Sequence, residues 1–88
     1  MSFDLDDSAW RMIRTRLCLS RRELEIARLV LEDMTEGLIA EHLGISPNTF
    51  HSHLSRIYRK LHVHSRAGLT ARLFRQYIAM WDGASSAR

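Results

Sequence analysis

The chain reads as an all-α fold, and three observations carry that reading. Apolar residues recur at three- and four-residue spacing, the period of a helix face, where a strand would alternate every second residue. Hydroxyl residues suited to starting helices, Ser20, Thr35, Ser46 and Ser65, divide most of the chain into four segments of helical length. The stretch from Ile39 to Leu61, IAEHLGISPNTFHSHLSRIYRKL, sets a short amphipathic segment and a longer one on either side of a tight turn.

Taken in order, residues 1–18 open with the acidic run MSFDLDD, after which Asp7 or Ser8 is suited to cap a short helix carrying Trp10, Ile13 and Leu17 on one face. This predicts an N-terminal arm or short helix, either docked on the domain or the remnant of a linker from a longer protein. The domain itself spans 19–80. Ser20 and Glu23 stand three apart as in a capping box, predicting helix one to about Glu32 with Ile26, Leu29 and Val30 buried and Met34 closing its end. Thr35 caps helix two, which buries Ile39, Ala40 and Leu43 and is weakened at Gly37 by up to ~1 kcal/mol relative to alanine.

Gly44 sits where the chain leaves helix two, and glycine tolerates the left-handed backbone such exits often need. Ser46 then caps helix three, and Pro47 fits its first position because the amide proline lacks would have no partner there. His62-Val63-His64 makes a short connection, and Ser65 caps helix four, predicted to run to about Met80 with Ile78 and Val63 serving the core. The small, polar residues 81–88 read as a disordered tail.

Helix three, 47–61, holds the candidate site. Projected at about 100° per residue, Phe50, Leu54, Ile57 and Leu61 fall in a sector of about 60°, and Asn48, His51, Ser52, Ser55 and Arg59 share an arc of about 100° on the opposite side. A solvated helix face is the plain alternative, but no Asp or Glu occurs from Pro47 to Ala79, an absence a solvent face does not need. The charge divides the same way. Residues 1–46 hold six arginines against nine acids, whereas residues 47–88 hold seven Lys or Arg against Asp82 alone. A cation surplus on one half is the footprint of a phosphate-binding surface, and two helices joined by a short turn are the helix-turn-helix plan, whose second helix enters the DNA major groove.

Several functions are excluded or disfavoured. An 88-residue chain closes one small core with no room for a second, enzyme-sized domain, so no enzyme is expected. The lone Cys18 permits no internal disulfide, and as a nucleophile it would need a base and a pocket that nothing here supplies. Of His51, His53, His62 and His64, the first two are two apart on a helix and point about 200° from each other; only His62 and His64 could grip one ion, and with no cysteine or carboxylate nearby in sequence no metal site and no cofactor is expected. No apolar run approaches the ~20 residues of a membrane span and the N-terminus is acidic where a secretory signal is basic, so a cytoplasmic protein without a membrane partner is expected.

The run from Leu19 to Arg66, LSRRELEIARLVLEDMTEGLIAEHLGISPNTFHSHLSRIYRKLHVHSR, resembles the LuxR/GerE-type helix-turn-helix without a gap. Arg22, Glu23, Glu25, Ile39, Ala40, Leu43, Ser46, Thr49, His53, Ile57, Lys60, Leu61, Val63, Ser65 and Arg66 all fall on that family's pattern. The resemblance implies a four-helix domain that binds double-stranded DNA sequence-specifically as a transcriptional regulator, with helix three in the major groove. It further implies Thr49 on phosphate and His51, Ser52 and Ser55 at base edges; Arg56 and Arg59 suit the phosphate backbone, and Asn48 shares their arc. His53 lies about 70° from the centre of the apolar sector and is expected as a buried structural partner.

Helix four often forms the dimer contact in that family, and the stripe Leu69, Leu73 and Tyr77 is the expected homodimer surface here, the alternative being that it docks on helix one or on the Trp10 arm. RNA polymerase is a further candidate partner. Three departures stand out: Asp33 where the family has glycine, Phe50 where valine is common, and His51 where Lys or Arg is usual, a shorter and pH-dependent donor. The alternative function is a dimerisation or protein-interaction module on the same fold that reads no DNA.

Overall fold

The computed structural model describes residues 7–86. They form α1 (Asp7–Leu17), α2 (Arg21–Leu31), α3 (Glu36–Leu43), α4 (Pro47–Leu61) and α5 (Arg66–Ser86), with no strand among the described residues. The expected helices one to four are α2 to α5. α1 precedes them as a helix whose Trp10, Ile13 and Leu17 are buried in the same core as the rest.

The helix starts follow the side-chain chemistry. Ser20 Oγ accepts from the Glu23 amide at 3.1 Å while Glu23 Oε1 accepts from the Ser20 amide at 2.8 Å, a complete capping box. Thr35 Oγ1 accepts from the Leu38 amide at 3.2 Å, Ser46 Oγ from the Thr49 amide at 3.1 Å with Pro47 opening the helix, and Ser65 Oγ from the Gly68 amide at 3.0 Å. Each satisfies an amide that the first turn of a helix leaves without a partner.

The helix ends share another device. Cys18, Gly44 and His62 have φ of 57°, 67° and 57°, and in each case the next amide reaches back five residues, Leu19 to the Arg14 carbonyl, Ile45 to Ala40 and Val63 to Tyr58, each at 3.0 Å. At the end of α2 the left-handed residue is Asp33, with φ of 64°. There the Arg66 guanidinium, from the start of α5, donates to the carbonyls of Val30, at 3.0 Å, and Met34. The corner between α2 and α3 is thus held by a side chain from the far end of the domain.

Phe50, Leu54, Ile57 and Leu61 of α4 meet Ile26, Ala27 and Val30 of α2, Ile39 and Ala40 of α3, and the three α1 residues in one core, while Leu29 and Leu43 stop at half burial. One carboxylate lies among these groups. Glu23 is 2% exposed, and Lys60 Nζ from the end of α4 donates to its Oε1 at 2.7 Å and to the Cys18 carbonyl at 3.0 Å. Burial alone would push the Glu23 carboxyl upward, but the bonds from Lys60 and Ser20 and the ammonium charge outweigh it, so Glu23 titrates below its ordinary value of 4.5.

Three expectations for the last helix are corrected. Leu69 and Leu73 are fully buried and Tyr77 is half-buried against the core, so this stripe is not a surface for a second copy. α5 packs on α1, α2 and α4, so its apolar stripe joins the core that the α1 residues share. Ile78, assigned to the core, is instead 39% exposed, whereas Val63 does pack against it. α5 also runs past the expected end at Met80 to Ser86, since extending a formed helix costs far less than starting one, and residues 87–88 lie outside the described residues.

Candidate nucleic-acid interface

α4 is oriented by what it buries. Phe50, Leu54, Ile57 and Leu61 turn one side inward, so the opposite side must face out, and Asn48, Thr49, His51, Ser52, Ser55, Arg56 and Arg59 are all exposed there. Five of them, His51, Ser52, Ser55, Arg56 and Arg59, line one shallow groove. Ser55 and Arg59 also line a second groove that continues past the helix end over Tyr58, His62, Val63 and His64. The surface therefore runs the length of α4 and onto the loop before α5.

At the N-terminal end, Thr49 is fixed from two directions, its amide donating to Ser46 Oγ and its own Oγ1 accepting from the Ser46 hydroxyl at 3.0 Å. Its exposed hydroxyl and the amide of Asn48 stand at the N-terminal end of α4, where the helix favours anions. The arginines belong to the other half of the helix. His53 lies half-buried at the border between the two faces and makes no hydrogen bond among the described residues, so the structure does not make it the buried partner expected of it.

One contributor to this face comes from outside α4. Glu36, the first residue of α3, lies with its Oε1 3.5 Å from His51 Nε2, both side chains largely open to solvent. The His51 ring also meets the Phe50 ring edge to face, with centroids 5.7 Å apart. Burial pushes the Tyr58 phenol upward, the Glu36 carboxylate adds to that and Arg66 opposes it, so Tyr58 stays a neutral donor and acceptor. The acid-free stretch from Pro47 to Ala79 does not exclude a carboxylate from the surface, because the turn at Gly44 brings α3 alongside. The signal for Glu36 was its position at the start of the first helix of a helix-turn-helix.

The surface supplies hydroxyls, imidazoles and guanidiniums over the length of one helix, the groups that hydrogen-bond base edges and phosphates. Among the described residues no three His, Cys, Asp or Glu gather as metal ligands, and no helix is long and apolar enough to cross a membrane.

Comparison with known proteins agrees with this geometry. The family model described as bacterial regulatory proteins, luxR family, matches residues 17–73, from the last residue of α1 into α5 and across the whole candidate surface. A two-component response regulator of Pseudomonas aeruginosa, PprB, is 36% identical over 66 residues, which are 75% of this chain and 24% of that protein. The chain thus spans about a quarter of the relative's length. No solved structure matches it.

Proposed function

The chain belongs to the LuxR family of bacterial regulatory proteins, a helix-turn-helix DNA-binding family, and from that premise we propose that it binds double-stranded DNA sequence-specifically as a transcriptional regulator, with α4 in the major groove. The observation that carries this reading is the single exposed face of α4. Seven polar residues occupy it, two of them arginines, with no carboxylate on the helix itself. In this reading Thr49, Asn48, Arg56 and Arg59 contact the phosphate backbone and His51, Ser52 and Ser55 meet base edges. It is a binding function and asks for no catalysis.

A lone helix-turn-helix reaches only a few base pairs, and two copies on adjacent half-sites gain affinity together. We assign the homodimer contact to the outward face of α5, where Ala67, Ala71, Phe74 and Ile78 are exposed at helical spacing. A regulator of this kind acts in the bacterial cytoplasm, with RNA polymerase as a further partner, and we assign both to this chain. The runner-up, an interaction module that reads no DNA, draws on Glu36, since a carboxylate at the edge of a phosphate-binding face weakens it.

Titration of a labelled random duplex at several salt concentrations tests the proposal. DNA binding weakens linearly on a log–log plot with a slope of about −0.9 per phosphate neutralised. Failure to bind any duplex at low salt removes the DNA reading and leaves the interaction module.

A further inference from the structure

We infer that Glu36 is a specificity-determining residue of the DNA surface, acting as a positioning residue that sets which base pair His51 accepts. The inference rests on the DNA-binding reading above and deepens it.

Three observations carry it. The N-terminal half of the exposed face, from Asn48 to Ser52, holds no permanent cation, and the Glu36 carboxylate is the charge beside it, 3.5 Å from His51 Nε2. Glu36 has no other ion-pair partner among the described residues. Arg66, whose charge is felt with that of Glu36 at Tyr58, turns its Nη2 to the carbonyls of Val30 and Met34 and makes no ion pair with Glu36. The carboxylate therefore acts outward, on His51.

A carboxylate beside Nε2 favours the tautomer that carries its proton there, leaving Nδ1 as the ring's remaining hydrogen-bonding atom. It also biases the ring towards one orientation against the Phe50 edge. A base edge that meets His51 then finds a defined pattern of donor and acceptor, where an unpaired imidazole would offer either nitrogen in either role. The major groove distinguishes all four base pairs by that pattern, so fixing it converts a general contact into a selective one. The same negative charge repels phosphates, so any register that brings backbone close to Glu36 is penalised, which narrows the choice further.

The test is a double-mutant cycle on the full chain, using a duplex selected by the wild-type protein from a random pool together with its single-base-pair variants. Glu36→Gln preserves shape and removes the charge, at a position already exposed, and circular dichroism verifies the helix content of each variant. The expected result is that Glu36→Gln lowers discrimination at one base pair about tenfold, and that it changes no preference once His51→Asn is present. No change in preference, or one factor applied to every duplex in both backgrounds, overturns the inference and reduces Glu36 to a surface charge. If the wild-type chain binds no duplex, the DNA reading itself falls, an outcome distinct from the other two because it appears before any substitution is made.

Discussion

Lys60 Nζ sits 2.7 Å from Glu23 Oε1 and 3.0 Å from the Cys18 carbonyl, so one ammonium group ties the end of α4 to the corner between α1 and α2. Its two ends are unequally placed: the Lys60 side chain is 37% exposed and that of Glu23 2%.

Breaking the pair should therefore cost different amounts from the two sides. Lys60→Met strands a buried carboxylate and should cost about 3 kcal/mol, while Glu23→Gln frees an ammonium that turns to water and should cost about 1 kcal/mol. Urea denaturation of both variants measures this, and equal losses would mean that Glu23 rehydrates.

The pair also sets the acid limb of stability. The folded-state pKa of Glu23 lies below its ordinary 4.5, so the stabilisation it gives is complete above that value and is lost as pH falls through the lower folded-state value. Urea midpoints across this range should fall less steeply in Glu23→Gln than in the wild-type chain. An identical acid slope in both proteins would assign the titration to other carboxyls.

On the DNA face, Arg59→Ala should weaken binding to all duplexes alike and flatten the salt slope by about one, whereas changing Ser52 or Ser55 should alter preference at one base pair by ~1–3 kcal/mol. Anisotropy titrations at several salt concentrations read both quantities. Were Arg59→Ala to change preference and leave the slope intact, the division into phosphate and base contacts would be wrong.

Arg66 gives a separate test of how the α2–α3 corner is held. Arg66→Ala removes both donors to the Val30 and Met34 carbonyls and should cost about 2 kcal/mol, the scale of hydrogen bonds from a charged group. Hydrogen exchange should accelerate first around Asp33 and Thr35. Uniform acceleration over the whole chain would show that the corner has no stability of its own to lose.

The two faces of α5 should respond in opposite ways. Leu73→Ala, in the core, should cost about 2–5 kcal/mol at any protein concentration. Ile78→Glu, on the outer face, should leave a folded chain and remove cooperative occupancy of a two-half-site duplex. Sedimentation with and without that duplex decides, and retained cooperativity in Ile78→Glu would move the contact elsewhere.

What could be read from the chain beforehand was what depends on neighbours in sequence. The caps at Ser20, Thr35 and Ser46, the left-handed Gly44 and the inward face of α4 are each set within a few residues, and local pattern finds them. The inward face of α5 is different. Leu69, Leu73 and Tyr77 make one apolar run and Ala67, Ala71, Phe74 and Ile78 make another, so periodicity fits either, and the choice is made by the packing of α1, α2 and α4 against the first. Lys60 lies 37 residues from Glu23, and Glu36 meets His51 only because of the turn between them. Such pairings belong to the tertiary arrangement and leave no periodic trace.

Of the four left-handed corners, only Gly44 has glycine; Cys18, Asp33 and His62 each hold a β-carbon in a backbone region that costs such residues on the order of 1 kcal/mol. Glycine at any of the three should raise the melting temperature, which thermal unfolding of the single variants would register. Cys18 and Asp33 lie outside the grooves along the exposed face of α4, whereas His62 borders that face past the helix end, and none of the three changes the sequence of α4. A lineage that gained stability at Cys18 or Asp33 could tolerate substitutions on α4 that alone would unfold the domain, so, on the proposed function, these two residues bear on how freely the protein can evolve a new target site.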